Sequence, residues 1–264
     1  RVADVRAGDL DGDGDLDLAV AGFGYDDGET SWLENKGEWK FEQHVLLRLS
    51  GPINAIVADI DKNGSPDIVG LISQEWEEIW VFSNEGGRFA SKMVWGSTNA
   101  DFGSSWISLA DLDRDGDLDI LYGNGDAFDY APANSRPWHG VQWLENKGNL
   151  QFEFHRIADL PGASSPQAGD LDGDGDVDVA FVSAYNNWGD STALSLVWLG
   201  NNGRMQFALH PIASSPTQLI TLAVGDLDGD GRLDLVTGGM YVSRPYDRMS
   251  RVTLWRNNGP SPQR

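Results

Sequence analysis

Five carboxylates stand at alternate positions in Asp9-Leu10-Asp11-Gly12-Asp13-Gly14-Asp15-Leu16-Asp17. Held that close together they repel, unless a positive charge sits among them. Ca²⁺ takes roughly six to eight oxygen ligands, and a tight loop offering oxygens at positions 1, 3, 5, 7 and 9 supplies most of them. Glycine at position 6 permits the sharp turn because it has no Cβ. The pattern returns four times: Asp59, Asp61, Asn63, Ser65, Asp67; Asp111, Asp113, Asp115, Asp117, Asp119; Asp170, Asp172, Asp174, Asp176, Asp178; and Asp226, Asp228, Asp230, Arg232, Asp234. Position 7 varies from Asp to Ser to Arg. An Arg side chain cannot ligate a cation, so this position is expected to act through its backbone carbonyl. Five loops in one register predict about five structural Ca²⁺ ions. The plainer alternative is a set of acidic solvated turns.

These loops need a scaffold that repeats as they do. Their first aspartates lie at 9, 59, 111, 170 and 226, so the spacings are 50, 52, 59 and 56 residues. Periods near fifty suit propeller blades of four strands each. Every unit reads alike. An apolar stretch enters the loop, as in Ile53–Ala58, and an apolar strand leaves it, as in Leu16–Ala21 or Val177–Val182. A third strand carries Trp32, Trp80, Trp143, Trp198 or Trp255, and Asn/Gly turns follow, residue types that tolerate positive φ. A fourth strand opens with Phe41, Phe89, Phe152 or Phe207. His44, His155 and His210 each follow that Phe by three residues, where the second unit has Lys92. A histidine recurring by repeat position is read as structural. The predicted fold is all-β: a single β-propeller domain over 1–264 with repeats at about 1–50, 51–103, 104–162, 163–217 and 218–259. About five four-stranded blades can be counted, either as a five-bladed ring or as part of a larger, seven-bladed one. The fifth unit lacks a recognisable fourth strand.

Composition narrows the function classes. The 264 residues carry a formal charge of −22, and 40% are hydrophobic, enough for a substantial core. Five Ca²⁺ would offset ten of those charges and leave about −12. Nucleic-acid binding needs a basic footprint, which this chain lacks. No apolar run is long enough to span a bilayer. No signal-peptide pattern opens at Arg1, so residue 1 is read as a mature terminus or a position inside a longer protein. The absence of cysteine excludes disulfides. Metal clips can replace them where calcium is plentiful, so an extracytoplasmic location is expected: secreted, periplasmic or cell surface.

The residues resemble the FG-GAP/VCBS repeat β-propellers, relatives of the integrin α-subunit head. The resemblance rests on GDLDGDGDLDLAV (Gly8–Val20), SWLENKG (Ser31–Gly37) and the Phe-x-x-His strand, and it covers nearly the whole chain. It implies the propeller fold and calcium loops. It does not choose among adhesion, sugar binding, scaffolding and catalysis, all of which that fold serves.

Function is expected on the irregular loops at the strand ends away from the aspartate loops, since binding residues concentrate on loops held by a rigid scaffold. The candidate ligand-binding residues there are Trp76, Tyr130, Trp138, His139, Tyr185, Trp188, Tyr241 and Tyr246. Aromatic rings beside carboxylates, amides and guanidinium groups suit a carbohydrate, and equally a protein partner. Each ring could instead fill gaps between blades. An enzymatic alternative is a polysaccharide lyase or hydrolase centred on His139, the only histidine outside the repeat pattern, with Asp126, Asp129 and Arg136 near it in sequence. Glu75 and Glu78 form a second possible acid–base pair. Neither cluster has a diagnostic spacing, and no nucleophile elbow is present.

Overall fold

The structure is a computed structural model describing residues 1–128, 134–240 and 244–259. Nineteen strands form five antiparallel sheets among these residues. The first sheet holds β1 (Val2–Gly8), β2 (Asp17–Gly22), β3 (Glu29–Asn35) and β4 (Phe41–Leu47). The second holds β5 (Pro52–Ala58), β6 (Asp67–Ile72), β7 (Glu78–Asn84) and β8 (Phe89–Gly96). The third holds β9 (Trp106–Ala110), β10 (Asp119–Asn124), β11 (Gly140–Asn146) and β12 (Phe152–Asp159). The fourth holds β13 (Ala163–Gly169), β14 (Asp178–Ser183), β15 (Leu196–Asn201) and β16 (Phe207–Ala213). The fifth holds β17 (Leu219–Gly225), β18 (Asp234–Gly239) and β19 (Val252–Trp255). Strands follow sequence order in every sheet, which is the meander of a propeller blade. All four predicted phenylalanines open a fourth strand. The fifth sheet has three strands among the described residues, and a single turn of 3₁₀ helix spans Tyr246–Arg248. No helix among the described residues is long and apolar enough to cross a membrane.

The chain divides into two compact units, 1–106 with 145–153, and 107–144 with 154–264. In the first, Leu10, Ala19, Ala21, Trp32, Ala55, Ile68 and Phe82 form a core between the first two sheets. The second has two cores. Leu121, Val141, Trp143, Val179, Phe181 and Val197 form one; Ala180, Val182, Leu196, Leu219, Leu222 and Leu235 form the other. Neighbouring residues Val179 to Val182 thus serve opposite cores. Second strands buried on both faces read as continuous apolar runs rather than alternating ones.

The third-strand tryptophans are not equivalent in register. Trp32 and Trp198 pair with Ala19 and Ala180, and Trp143 with Leu121, each two residues into its second strand. In the second sheet that place belongs to Val81, opposite Val69, and Trp80 sits one residue earlier. In the fifth it belongs to Leu254, and Trp255 sits one residue later. A one-residue shift turns a side chain to the other face. The histidines follow the register. Rings of His44, His155 and His210 stack on Trp32, Trp143 and Trp198 with centroids 4.7, 4.6 and 4.4 Å apart. Lys92 instead pairs with Val81, and its ammonium donates to the Leu150 carbonyl at 2.7 Å. The repeating histidine is therefore half of a cross-strand aromatic pair.

Candidate functional site

Each aspartate loop joins the first strand of its sheet to the second, and its backbone is pinned by its own side chains. The carboxylates at positions 3 and 5 accept the N–H two residues on: Asp11 from Asp13 at 3.1 Å and Asp13 from Asp15 at 2.9 Å in the first loop. Asp172 and Asp174 do the same in the fourth. Such turns are a habit of short acidic side chains. Position 1 accepts the N–H of the position-6 glycine through Oδ2 in all five loops, at 2.9–3.1 Å. Those glycines, Gly14, Gly64, Gly116, Gly175 and Gly231, have φ of +94°, +92°, +92°, +95° and +86°.

This bonding occupies Oδ1 of positions 3 and 5 in the first and fourth loops. Carboxylate oxygens of Asp9, Asp11 and Asp13 lie within 4.8 Å of one another, as do those of Asp59, Asp61 and Asp67, and of Asp111, Asp113 and Asp115. Oxygens bound to one Ca²⁺ at about 2.3–2.6 Å stand at most about 5 Å apart, so the spacing suits that ion. Asp111 Oδ1 is buried without a hydrogen-bond partner, the cost of which a cation would remove. The donor set is all hard oxygen. These residues fit Ca²⁺.

Position 9 also ties the loop to its sheet. Asp17, Asp67, Asp119, Asp178 and Asp234 are all buried. Oδ2 accepts the N–H of position 2, from Leu10, Ile60, Leu112, Leu171 and Leu227 at 2.9–3.2 Å. Oδ1 of Asp17, Asp67, Asp178 and Asp234 accepts the N–H of Asn35, Asn84, Asn201 and Asn257 at the end of the third strand. Position 9 is therefore a clamp between loop and hairpin. Burial pushes the Asp67 carboxyl up to about 6 and raises that of Asp178. In the fifth loop, chiefly the N–H of Gly231 holds Asp226 below the ordinary range.

Those asparagines escaped the sequence reading, which took them only as turn formers. The Asn84 amide nitrogen donates to Leu10 O and Pro66 O at 2.7 and 2.8 Å, and its oxygen accepts Gly87 N–H at 2.8 Å. Asn146 reaches Ile60 O, and Asn257 reaches Leu171 O. The asparagine of one repeat is thus bolted to position 2 of the preceding loop. The recurrence of Asn at 35, 84, 146, 201 and 257 was the available signal.

At the opposite strand ends the candidates separate. Trp76 is 41% exposed, and its Nε1 donates to Ser50 Oγ at 3.0 Å. Tyr246 is 53% exposed on the 3₁₀ turn, which Arg248 ties down through Trp188 O and Ser214 O. Trp138 and Trp188 are half-buried, and Trp188 Nε1 is buried without a partner. Two candidates are buried. Tyr185, 4% exposed, packs in a small core with Ala127 and Ala184 and meets the Phe128 ring edge-on at 4.6 Å. His139, 2% exposed, accepts the backbone N–H of Arg136 and of Gly162 through Nδ1, each at 3.3 Å. Burial, aided by the charges of Arg136 and Arg156, pushes its pKa down to about 4. It is a neutral loop-organising residue, inaccessible to a substrate. Glu78 accepts the Trp80 indole N–H at 2.7 Å. Tyr130, Asp129 and Tyr241 lie outside the described residues.

No curated protein matches the chain. Among solved structures, the GH32 beta-fructofuranosidase BmSUC1 of Bombyx mori is similar at 12% identity and a TM-score of 0.45. That match covers 95% of this chain and 58% of the other, so the chain spans little more than half of that protein. The FG-GAP-like repeat family matches residues 9–70 and 170–237. Four of the five aspartate loops fall within those stretches, and the third repeats their residues between them. Residues 9–70 and 170–237 are thus FG-GAP-like repeats, carried on antiparallel sheets that meander as the blades of a β-propeller do.

Proposed function

We propose that the chain is a calcium-stabilised binding module that works outside the cytoplasm, with its ligand held at the strand ends opposite the aspartate loops. The convergence of carboxylate oxygens, with Asp111 Oδ1 buried and unpartnered, is the observation that supports calcium. Each ion would be bound by a loop that exists only in the folded chain, so binding adds to folding stability. The millimolar calcium outside cells suits such loops, whose extracellular relatives in chemistry bind at about 10⁻⁴–10⁻³ M.

A carbohydrate is the ligand class we favour. Trp76 presents its ring to solvent while Ser50 fixes the indole, an orientation suited to stacking on the apolar face of a sugar. His139 is buried and gives the lyase or hydrolase alternative no accessible base. An array of immobilised glycans probed in calcium tests this reading. Wild type should bind a defined subset, and Trp76→Ala should lose that binding at least tenfold with an unchanged melting temperature. Equal glycan binding by both proteins, or none by either, would count against a sugar site at Trp76; binding to a protein instead would identify the other ligand class.

A further inference from the structure

In the fifth aspartate loop the second oxygens of positions 3 and 5 are held by arginines. Oδ1 of Asp228 and of Asp230 accept the N–H of Asp230 and of Arg232, as the repeat dictates. Asp228 Oδ2, however, meets Arg256 Nε at 2.5 Å. Asp230 Oδ2 meets the Arg232 guanidinium and lies 3.7 Å from Arg256 Nη2. Arg232 is further fixed by donating from Nε to Asn257 O at 2.9 Å. The two oxygens that a cation would take are those the arginines hold, and two guanidinium groups bring the same charge as one Ca²⁺.

Neither arginine has a counterpart elsewhere. Position 7 is Asp15, Ser65, Asp117 and Asp176 in the other loops, and the residue before the clamping asparagine is Glu34, Ser83, Glu145 and Gly200 where the fifth repeat has Arg256. Asp172 and Asp174 of the fourth loop form no ion pair among the described residues. Arg114, in the third loop, does reach the fourth, but it meets Asp176 at 3.4 Å, a position-7 side chain that is not a ligand. Held by two guanidinium groups, the donor set of the fifth loop does not fit the metal.

We infer that the fifth loop is closed by Arg232 and Arg256 in place of calcium, so that its blade keeps its loop without the metal. The inference rests on the reading of the remaining loops as calcium sites. Counting bound calcium on the full chain tests it, with paired substitutions in two loops. Asp172→Asn with Asp174→Asn should remove one ion from the wild-type number. Asp228→Asn with Asp230→Asn should remove none, and Arg232→Gln with Arg256→Gln should add one. Loss of an ion from the Asp228/Asp230 variant, or no gain in the arginine variant, would overturn the inference. If wild type binds no calcium, the general calcium reading fails instead, and melting in chelator decides the inference. The Asp228/Asp230 and Arg232/Arg256 variants should then lower the melting temperature by non-additive amounts, because each pair removes the same contacts. Additive falls would overturn it.

Discussion

Asparagine at the end of the third strand does more than turn the chain. Asn84 is fully buried, and its amide group makes three hydrogen bonds, one of them to the loop of the preceding repeat. Alanine there would leave Leu10 O, Pro66 O and the Gly87 N–H without their partner. Buried groups left unsatisfied cost about 1–3 kcal/mol each before relaxation, so Asn84→Ala should lose roughly 3 kcal/mol in urea unfolding. A loss under about 0.5 kcal/mol would show that the bolt between repeats is dispensable. His139 gives a second test. Its pKa is near 4 in the folded chain and about 6.5 when unfolded, so the unfolded chain binds more protons between those values. Stability is full above about pH 6.5 and falls as pH drops toward 4, by up to about 3 kcal/mol. His139→Gln should lack this component. Parallel pH profiles for the two proteins would refute the burial of a neutral imidazole.

At the scale of elements, much could be read directly. Alternate aspartates, the position-6 glycine and the strand-opening phenylalanines follow from local rules, and the strands lie where those rules put them. The register of the tryptophans is easily missed because every repeat contains one; their spacing to the recurring asparagine carries the signal, and the pairing partners show that Trp80 and Trp255 have slipped to the other face. The asparagine bolt was hidden for a related reason, since turn geometry alone explains an Asn before Gly. Irregular loops were the least legible. Their composition mixes rings that bind with rings that pack, and nothing in the neighbouring residues separates Trp76 from Tyr185. The two can be told apart by stability. Tyr185→Ala should cost about 3–5 kcal/mol, as for a large core aromatic, and Trp76→Ala under about 1 kcal/mol. Similar losses at both positions would mean that Trp76 is packing as well.

For the whole molecule, the aspartate loops decide how the chain stands in solution. Its −22 charge is concentrated in turns whose carboxylates point at one another. Without cations that repulsion opposes folding; on the calcium reading proposed above, binding them adds to stability. Carboxylate oxygens converge in the first three loops, and arginines hold those of Asp228 and Asp230 in the fifth. The most direct measurement is thermal unfolding of the purified chain in millimolar calcium and in excess chelator, with bound metal counted in parallel. About four ions and a fall of well over 10 °C on chelation are predicted, since several ions are lost at once and each kcal/mol moves Tm by about 2–4 °C in a chain of this size. An unchanged melting temperature with no ion bound would contradict the account: the loops would then be ordinary acidic turns, held by their own backbone hydrogen bonds.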